Sequence, residues 1–269
     1  MIPQSVAEYF TGHQELLWVV TLAMDLSLTL LMYRLFGRLG LTAAIVLAIL
    51  LANLQGPKLT IIFGMQTSLG VIFYSSIFFC TDLLGERHGR AAANQAVLTG
   101  FGVSLIIVLM LSVSMLFLPS DRPDTAEFSN NVHGAFATIL DFTPRFVFGS
   151  LLAYLVSQSL DVWLFHKIRD LTEGKHLWLR NNGSTMMSQA VDTALYSMVV
   201  WWGTVSLTTA IQLGLAKYVF KLFIAAFDTP FIYWARNWRV PGITENQVVS
   251  GIQGETKIQS SPYPRGMAQ

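Results

Sequence analysis

Apolar runs of helical length recur along this sequence, each closed by a short polar or basic stretch. The first is Leu16 to Tyr33, with Asp25 inside it and Arg34 and Arg38 directly after it. At about 1.5 Å of rise per residue it is long enough to cross a bilayer. A second run, Leu41 to Leu54, passes through Asn53-Leu-Gln-Gly-Pro-Lys58 and resumes as Leu59 to Met65. Gly56-Pro57 is expected to kink or break that helix. Leu69 to Leu84 is the third span, ending in Thr81-Asp82 before Gly85-Glu86-Arg87-His88-Gly89-Arg90; Val97 to Leu118, the fourth, holds no charge. A polar loop with Asp121, Asp124 and Glu127 follows, then Ala135 to Phe142, a short piece expected at the interface. Pro144 to Phe165 is the fifth span, its proline suited to a first helical turn. The sixth runs from about Met186 to Leu207, entered through Asn182-Gly-Ser-Thr185, and the seventh from Leu215 to Trp234 with Lys217, Lys221 and Asp228. From Arg239 the chain turns to Gln, Ser, Gly and Pro and reads as a disordered tail. Neither an internal repeat nor a half-to-half symmetry is visible.

Composition agrees with lipid as the solvent. Hydrophobic residues make up 53% of the 269 positions and charged residues only 12%, where soluble domains carry about 25%. The expected fold is therefore an all-α integral membrane protein of about seven transmembrane helices. No secretory signal peptide is expected, because residues 1–15 lack a basic start and a small-residue cleavage site. The net charge of +1 points to no nucleic-acid partner, and the single Cys80 lies in an apolar run as a small hydrophobe.

Placing the N-terminus outside puts Arg34, Arg38, Arg87, Arg90, Lys167, Arg169, Lys175, Arg180, Arg236, Arg239, Lys257 and Arg265 on the cytoplasmic side, 12 of the 17 basic residues. That bias falls in every alternate loop, so seven spans with N out and C in is the expected topology.

Within that topology, Asp82, Asp161, Asp192 and Asp228 are expected in the cytoplasmic half, and Asn53, Lys58, Lys217 and Lys221 in the central to outer half. An ionised group at a helix centre costs roughly 2.5–3.5 kcal/mol on insertion scales, so this many require pairing or a wet cavity. Each has a bland alternative. Asp161 could anchor the basic loop through Arg169 or Arg180, and Asp192 could pair structurally with Lys221. Asn53 could bond a neighbouring helix at the Gly56-Pro57 break, and Lys217 could snorkel. Asp25 sits on a first helix expected at the periphery. His166 and His176 fall in the basic loop, and no metal or other cofactor is expected. Neither His-Glu-x-x-His, Gly-x-Ser-x-Gly nor a P-loop occurs. The chain is therefore not read as an enzyme, and it cannot itself drive transport with ATP.

Asn53 with Lys58, Thr81-Asp82-Leu with Glu86 and Gly89, Asp161-Val with Phe165 and Arg169, Trp178-Leu, Ser184-Thr185, Asp192-Thr193 and Phe220-Lys221 occur in an order that resembles the queuosine precursor transporter family, also called the vitamin uptake transporter family. The resemblance covers roughly residues 41 to 238. It divides the chain into an N-terminal polar segment with an extra helix (1–40), a six-helix transporter core (41–238) and a cytoplasmic tail (239–269). It implies a multi-pass protein of the bacterial inner membrane importing the 7-deazaguanines preQ0 and preQ1. A purine-like ring offers a ring N–H and an amine to one carboxylate and a carbonyl to a donor. Asn53, Asp82, Asp161, Gln189, Asp192 and Lys221 are the expected substrate residues. Asp192 or Asp161 is assigned to the amine edge, Asn53, Gln189 or Lys221 to the carbonyl, and Asp82 to a cationic aminomethyl group. Asp192→Asn is expected to abolish uptake while the protein stays in the membrane. Two other readings stand beside it: a substrate-binding subunit of an energy-coupling-factor importer, and an intramembrane enzyme built on paired acids. The sequence specifies neither an oligomeric state nor an energising module.

Overall fold

The computed structural model describes residues 3–56, 58–140, 144–201 and 206–241. Nine α-helices and one hairpin make up these residues. A short α1 (Gln4–Thr11) leads into α2 (Gln14–Phe36) and α3 (Arg38–Gln55). Strands β1 (Leu59–Ile62) and β2 (Met65–Ser68) pair antiparallel, Leu59 opposite Ser68. Then come α4 (Gly70–His88), α5 (Arg90–Ser114), α6 (Ala126–Leu140), α7 (Pro144–Leu171), α8 (Leu177–Tyr196), continued by a wider π turn over Ser197–Trp201, and α9 (Leu207–Ala235).

Seven of these helices have 18 residues or more, in the expected order. The chain is an all-α membrane protein, and four of the seven (α2, α3, α5 and α9) are apolar enough to cross a bilayer by composition alone. The other three, α4, α7 and α8, carry most of the buried polar side chains. Packing explains the division. On α4 every residue from Gly70 to Gly85 except Tyr74 is buried, and a helix buried all round belongs at the centre. It touches α2, α3, α5, α7 and α9. The exposed large side chains of α5, among them Leu98, Ile106 and Leu109, form the opposite case, an apolar stripe turned outward to lipid.

Several expected boundaries move. Leu59–Met65 does not resume a helix. It falls in the hairpin, because α3 ends at Gln55–Gly56 and Ser68 Oγ donates to the Gly56 carbonyl at 2.7 Å. A Cβ at Gly70 would meet the Ala52 carbonyl at 2.7 Å, so a glycine lets α4 start against the end of α3. Pro57 lies outside the described residues. Residues 126–140 form one amphipathic helix rather than a shorter interfacial piece, and α9 begins at Leu207 rather than Leu215.

The largest shift is in α8, which starts at Leu177 and not near Met186. Asn182-Gly-Ser-Thr185 looks like a helix entry, yet it lies inside the helix. Gly183 lets α7 approach, since a Cβ there would touch Ile168 Cδ1 at 3.3 Å, and small residues favour close helix contact in membranes. The α7–α8 connection is thus only residues 172–176, turned by Gly174 at φ 73°.

Nor is α2 peripheral. Trp18, Leu22, Leu26, Leu30 and Tyr33 form a buried stripe on its inner face, and Trp18 packs on Phe220 and Phe223 of α9. At the basic end of the bundle the start of the tail is folded in: Arg87 Nη2 donates to the Trp238 carbonyl at 2.7 Å and Val240 is buried. Residues 242–269, most of the expected tail, lie outside the described residues, as does Trp202.

Candidate functional site

Polar side chains of α4, α7, α8 and α9 meet along the bundle axis in two zones. The first lies toward the hairpin end. There Asp192 of α8 accepts from Tyr74 Oη of α4 at 2.6 Å and Ser157 Oγ of α7 at 3.2 Å, both on Oδ1, while Lys221 of α9 donates to Oδ2. The Lys221 ammonium also sits 4.9 Å above the Tyr74 ring centroid. Both carboxylate oxygens are engaged and the charge is neutralised in place, as a buried ion requires. Because α8 starts early, Asp192 stands 15 residues past its first residue, roughly 22 Å from the basic end. Asp192 therefore does not share the basic half with Asp82 and Asp161. One turn before Lys221, the Lys217 ammonium lies 4.0 Å above the Tyr196 ring.

The second zone lies deeper toward the basic end. Ser188 Oγ donates to Asp161 Oδ1 at 2.9 Å and Thr185 Oγ1 to Asp82 Oδ2 at 3.2 Å. Thr185 and Ser188 are three apart on one face of α8, so the Asp82 and Asp161 carboxyl groups are held within one helical turn of each other. Asp228 of α9 accepts from Asn181 Nδ2 at 3.1 Å and acts electrostatically on both acids. Hydroxyls and amides, not cations, are the direct partners. Arg180 does not serve Asp161: it makes a two-pronged pair with Glu86 at 2.6 and 2.7 Å and donates to the Gly174 carbonyl at 2.9 Å, which ties the α7–α8 turn to the end of α4. An Arg–carboxylate fork of this kind holds orientation as well as charge.

Along this axis several buried polar atoms have no partner among the described residues. Both amide atoms of Gln189 are in this state, though its side chain is only 1% exposed. Gln158 accepts from Thr81 Oγ1 at 3.2 Å, but its Nε2 has no acceptor. Asp161 Oδ2, Asp82 Oδ1, Asn181 Oδ1 and Thr193 Oγ1 are also unpaired. An unmade buried hydrogen bond costs about 1–3 kcal/mol, so a run of them across facing helices marks a place where a polar ligand or water supplies the missing partners.

Of the residues singled out from sequence, Asp82, Asp161, Gln189, Asp192 and Lys221 converge on this axis. Asn53 is half-buried near the hairpin end of α3 and makes no side-chain hydrogen bond to another described residue. Lys58 is exposed beside it. His166 lies within α7, not in the loop, with Nδ1 bonded to the Val162 carbonyl at 2.9 Å. Asp25 accepts from Ser76 of α4. Among the described residues no three His, Cys, Asp or Glu side chains converge as a metal site would require.

Tyr74, Ser157 and Gln158 were missed by sequence reasoning. The last two could have been found: Ser157, Gln158 and Asp161 sit three and four apart on an apolar helix, hence on one face. Nothing local distinguishes Tyr74 from an interfacial aromatic.

A bundle with apolar outer helices, polar inner helices and an axial set of unpaired polar groups defines a multi-pass membrane transporter. The chain belongs to the family described as "Putative vitamin uptake transporter", whose sequence model matches residues 68–235. That range holds every converging residue above and excludes Asn53 and Asp25. A "Probable queuosine precursor transporter" of Bacillus subtilis is 34% identical over 220 residues, 81% of this chain and 93% of that protein. The "Queuosine precursor transporter" of Escherichia coli is 24% identical over 196 residues, 71% of this chain and 83% of its own. A Haemophilus influenzae protein named "Probable queuosine precursor transporter" is 26% identical over 168 residues, 60% of this chain and 65% of its own. No solved structure matches. The family is one of transporters, not enzymes.

Proposed function

We propose that this protein imports queuosine precursors of the 7-deazaguanine class, preQ0 and preQ1, across the bacterial inner membrane, with its N-terminus outside and its C-terminus in the cytoplasm. The observation that carries the reading is the unpaired Gln189 amide, buried beside two acids in a chain whose relatives bear that name. A deazaguanine presents a ring N–H and an exocyclic amine on one edge, next to a carbonyl. Asp161, with Oδ2 free, suits the donor edge better than Asp192, whose two oxygens are already occupied. Gln189 offers both a donor to the carbonyl and an acceptor. Asp82 adds the acid that the aminomethyl cation of preQ1 would meet. Lys221 and Asp192 hold the far wall of the seat as a neutral pair, and Asn53 has no place in contact with the ring.

The test is the queuosine content of tRNA in a bacterial strain that cannot make preQ0 and lacks its own importer. With this protein expressed and nanomolar preQ0 or preQ1 supplied, modification is expected to return, and to be lost again with Asp161→Asn. No return despite correctly inserted protein contradicts the proposed cargo.

A further inference from the structure

Two buried carboxyls held within one helical turn of each other, with no cation bonded to either among the described residues, pose a problem that the transporter reading does not solve. Asp161 is 0% exposed and Asp82 2% exposed. Each uses one oxygen to accept from a hydroxyl, Ser188 for Asp161 and Thr185 for Asp82, and each has one oxygen with no protein donor. Two like charges this near each other in a buried site cannot both ionise without strong repulsion. The surrounding charges do not relieve it. On α4, Glu86 is held by Arg180 of α8. Asp192 of α8 and Lys221 of α9 neutralise each other. Asp228 of α9 adds further negative potential. Asp25 of α2 bonds Ser76. On α7 itself, His166 faces Gly85 with its ring, and Lys167 and Arg169 lie in the next two turns toward the basic end. On α3 and α5, Arg38 and Arg90 stand at the basic helix ends, Arg38 bonded to Gln95. A single proton on Asp82 leaves the pair one negative charge and leaves Asp161 Oδ2 open as an acceptor for cargo.

We infer that Asp82 and Asp161 form a proton site that carries one proton between them, held on Asp82 while cargo is bound, and couples proton entry to cargo entry. Gln158, fully buried, marks the approach from the hairpin side: its Oε1 is held by Thr81, next to Asp82, and its unpartnered Nε2 is left in the gap between α4 and α7. Asp228 and the unpaired Asn181 Oδ1 mark the exit toward the basic end. With the proton in place, one negative charge faces the donor edge of a neutral cargo. Without it, three acids repel and the seat is mismatched. The proton is taken from the outer side, rides on the pair and is released inside; no other bond is made or broken. The proton site itself does not depend on the cargo being a deazaguanine, whereas the coupling test does.

Two measurements decide it. Infrared spectra of the purified full-length protein near neutral pH are expected to contain a protonated-carboxyl C=O stretch that disappears from the Asp82→Asn/Asp161→Asn double variant. Both substitutions keep shape, and a matching size-exclusion profile confirms folding. Identical spectra in that region overturn the proton site. In proteoliposomes of the native chain, with preQ0 as the probe, an outside-acid pH gradient is expected to drive accumulation several-fold above the external level, and a protonophore to abolish it. Accumulation indifferent to the gradient overturns the coupling. If preQ0 does not enter at all, the proposed cargo fails, and the infrared result still decides the proton site.

Discussion

The two polar zones of the bundle are each built around buried aspartates and behave oppositely. Around Asp192, one lysine, one tyrosine and one serine occupy both carboxylate oxygens. Around Asp161 and Asp82, hydroxyls occupy only half of the acceptor capacity, and among the described residues no lysine or arginine is bonded to either acid. A charge that finds its counterion inside the protein is part of the architecture, and breaking the pair costs more than the pair contributes. A charge left half-satisfied stores a vacancy for something that comes and goes. The first zone braces α4, α7, α8 and α9 to each other. In the proposed function the second is where cargo and proton act.

This contrast can be broken by mutation, starting with the brace. Lys221→Met leaves Asp192 buried without a cation and is expected to destabilise the fold by about 3–5 kcal/mol, seen as a fall in melting temperature in detergent. Asp192→Asn strands Lys221 in the same way, so loss of uptake in that variant comes with loss of stability. Combining Lys221→Met with Asp192→Leu is expected to restore most of the melting temperature.

Asp161→Asn goes the other way. It removes a like-charge repulsion, so stability is expected to change by less than about 1 kcal/mol while preQ0 uptake in cells disappears. A drop in melting temperature as large as that of Lys221→Met would erase the distinction between the zones.

Smaller effects sharpen it. Gln189→Leu replaces an unpaired buried amide by an apolar side chain and is expected to keep or raise stability. It should weaken equilibrium binding of preQ0 at least tenfold, about 1.4 kcal/mol. Tyr74→Phe removes one of the donors to Asp192 and should cost about 1.5–3 kcal/mol at most, the range for a hydrogen bond to a charged group. Binding should shift by less than the Gln189→Leu effect.

The apolar runs made the seven long helices legible, because span length and basic loops are set by the bilayer itself. Where the text of the chain misled, side chains were serving tertiary contacts. Asn182-Gly-Ser-Thr185 has the composition of a helix entry, but its glycine is spent on the close approach of α7 and its Thr185 hydroxyl on Asp82 of α4. That displaced the start of α8 by about nine residues and brought Asp192 out of the zone of Asp161. Leu59–Met65 was apolar enough for a helix, and only the pairing of Leu59 with Ser68 makes it a hairpin. Asp82, Asp161, Gln189, Asp192 and Lys221 were visible as polar residues in apolar runs. Which of them would neutralise each other was not, since it depends on the rotation of four helices about their axes. Tyr74 stayed hidden for the same reason.

Equilibrium binding of preQ0 to the purified protein, compared between Asp161→Asn and Tyr74→Phe, tests the division most directly. The expected result is saturable binding by the native chain, near-native affinity in Tyr74→Phe and no detectable binding in a stably folded Asp161→Asn. Native affinity in Asp161→Asn, or loss in Tyr74→Phe alone, would put the cargo in the other zone and contradict this account.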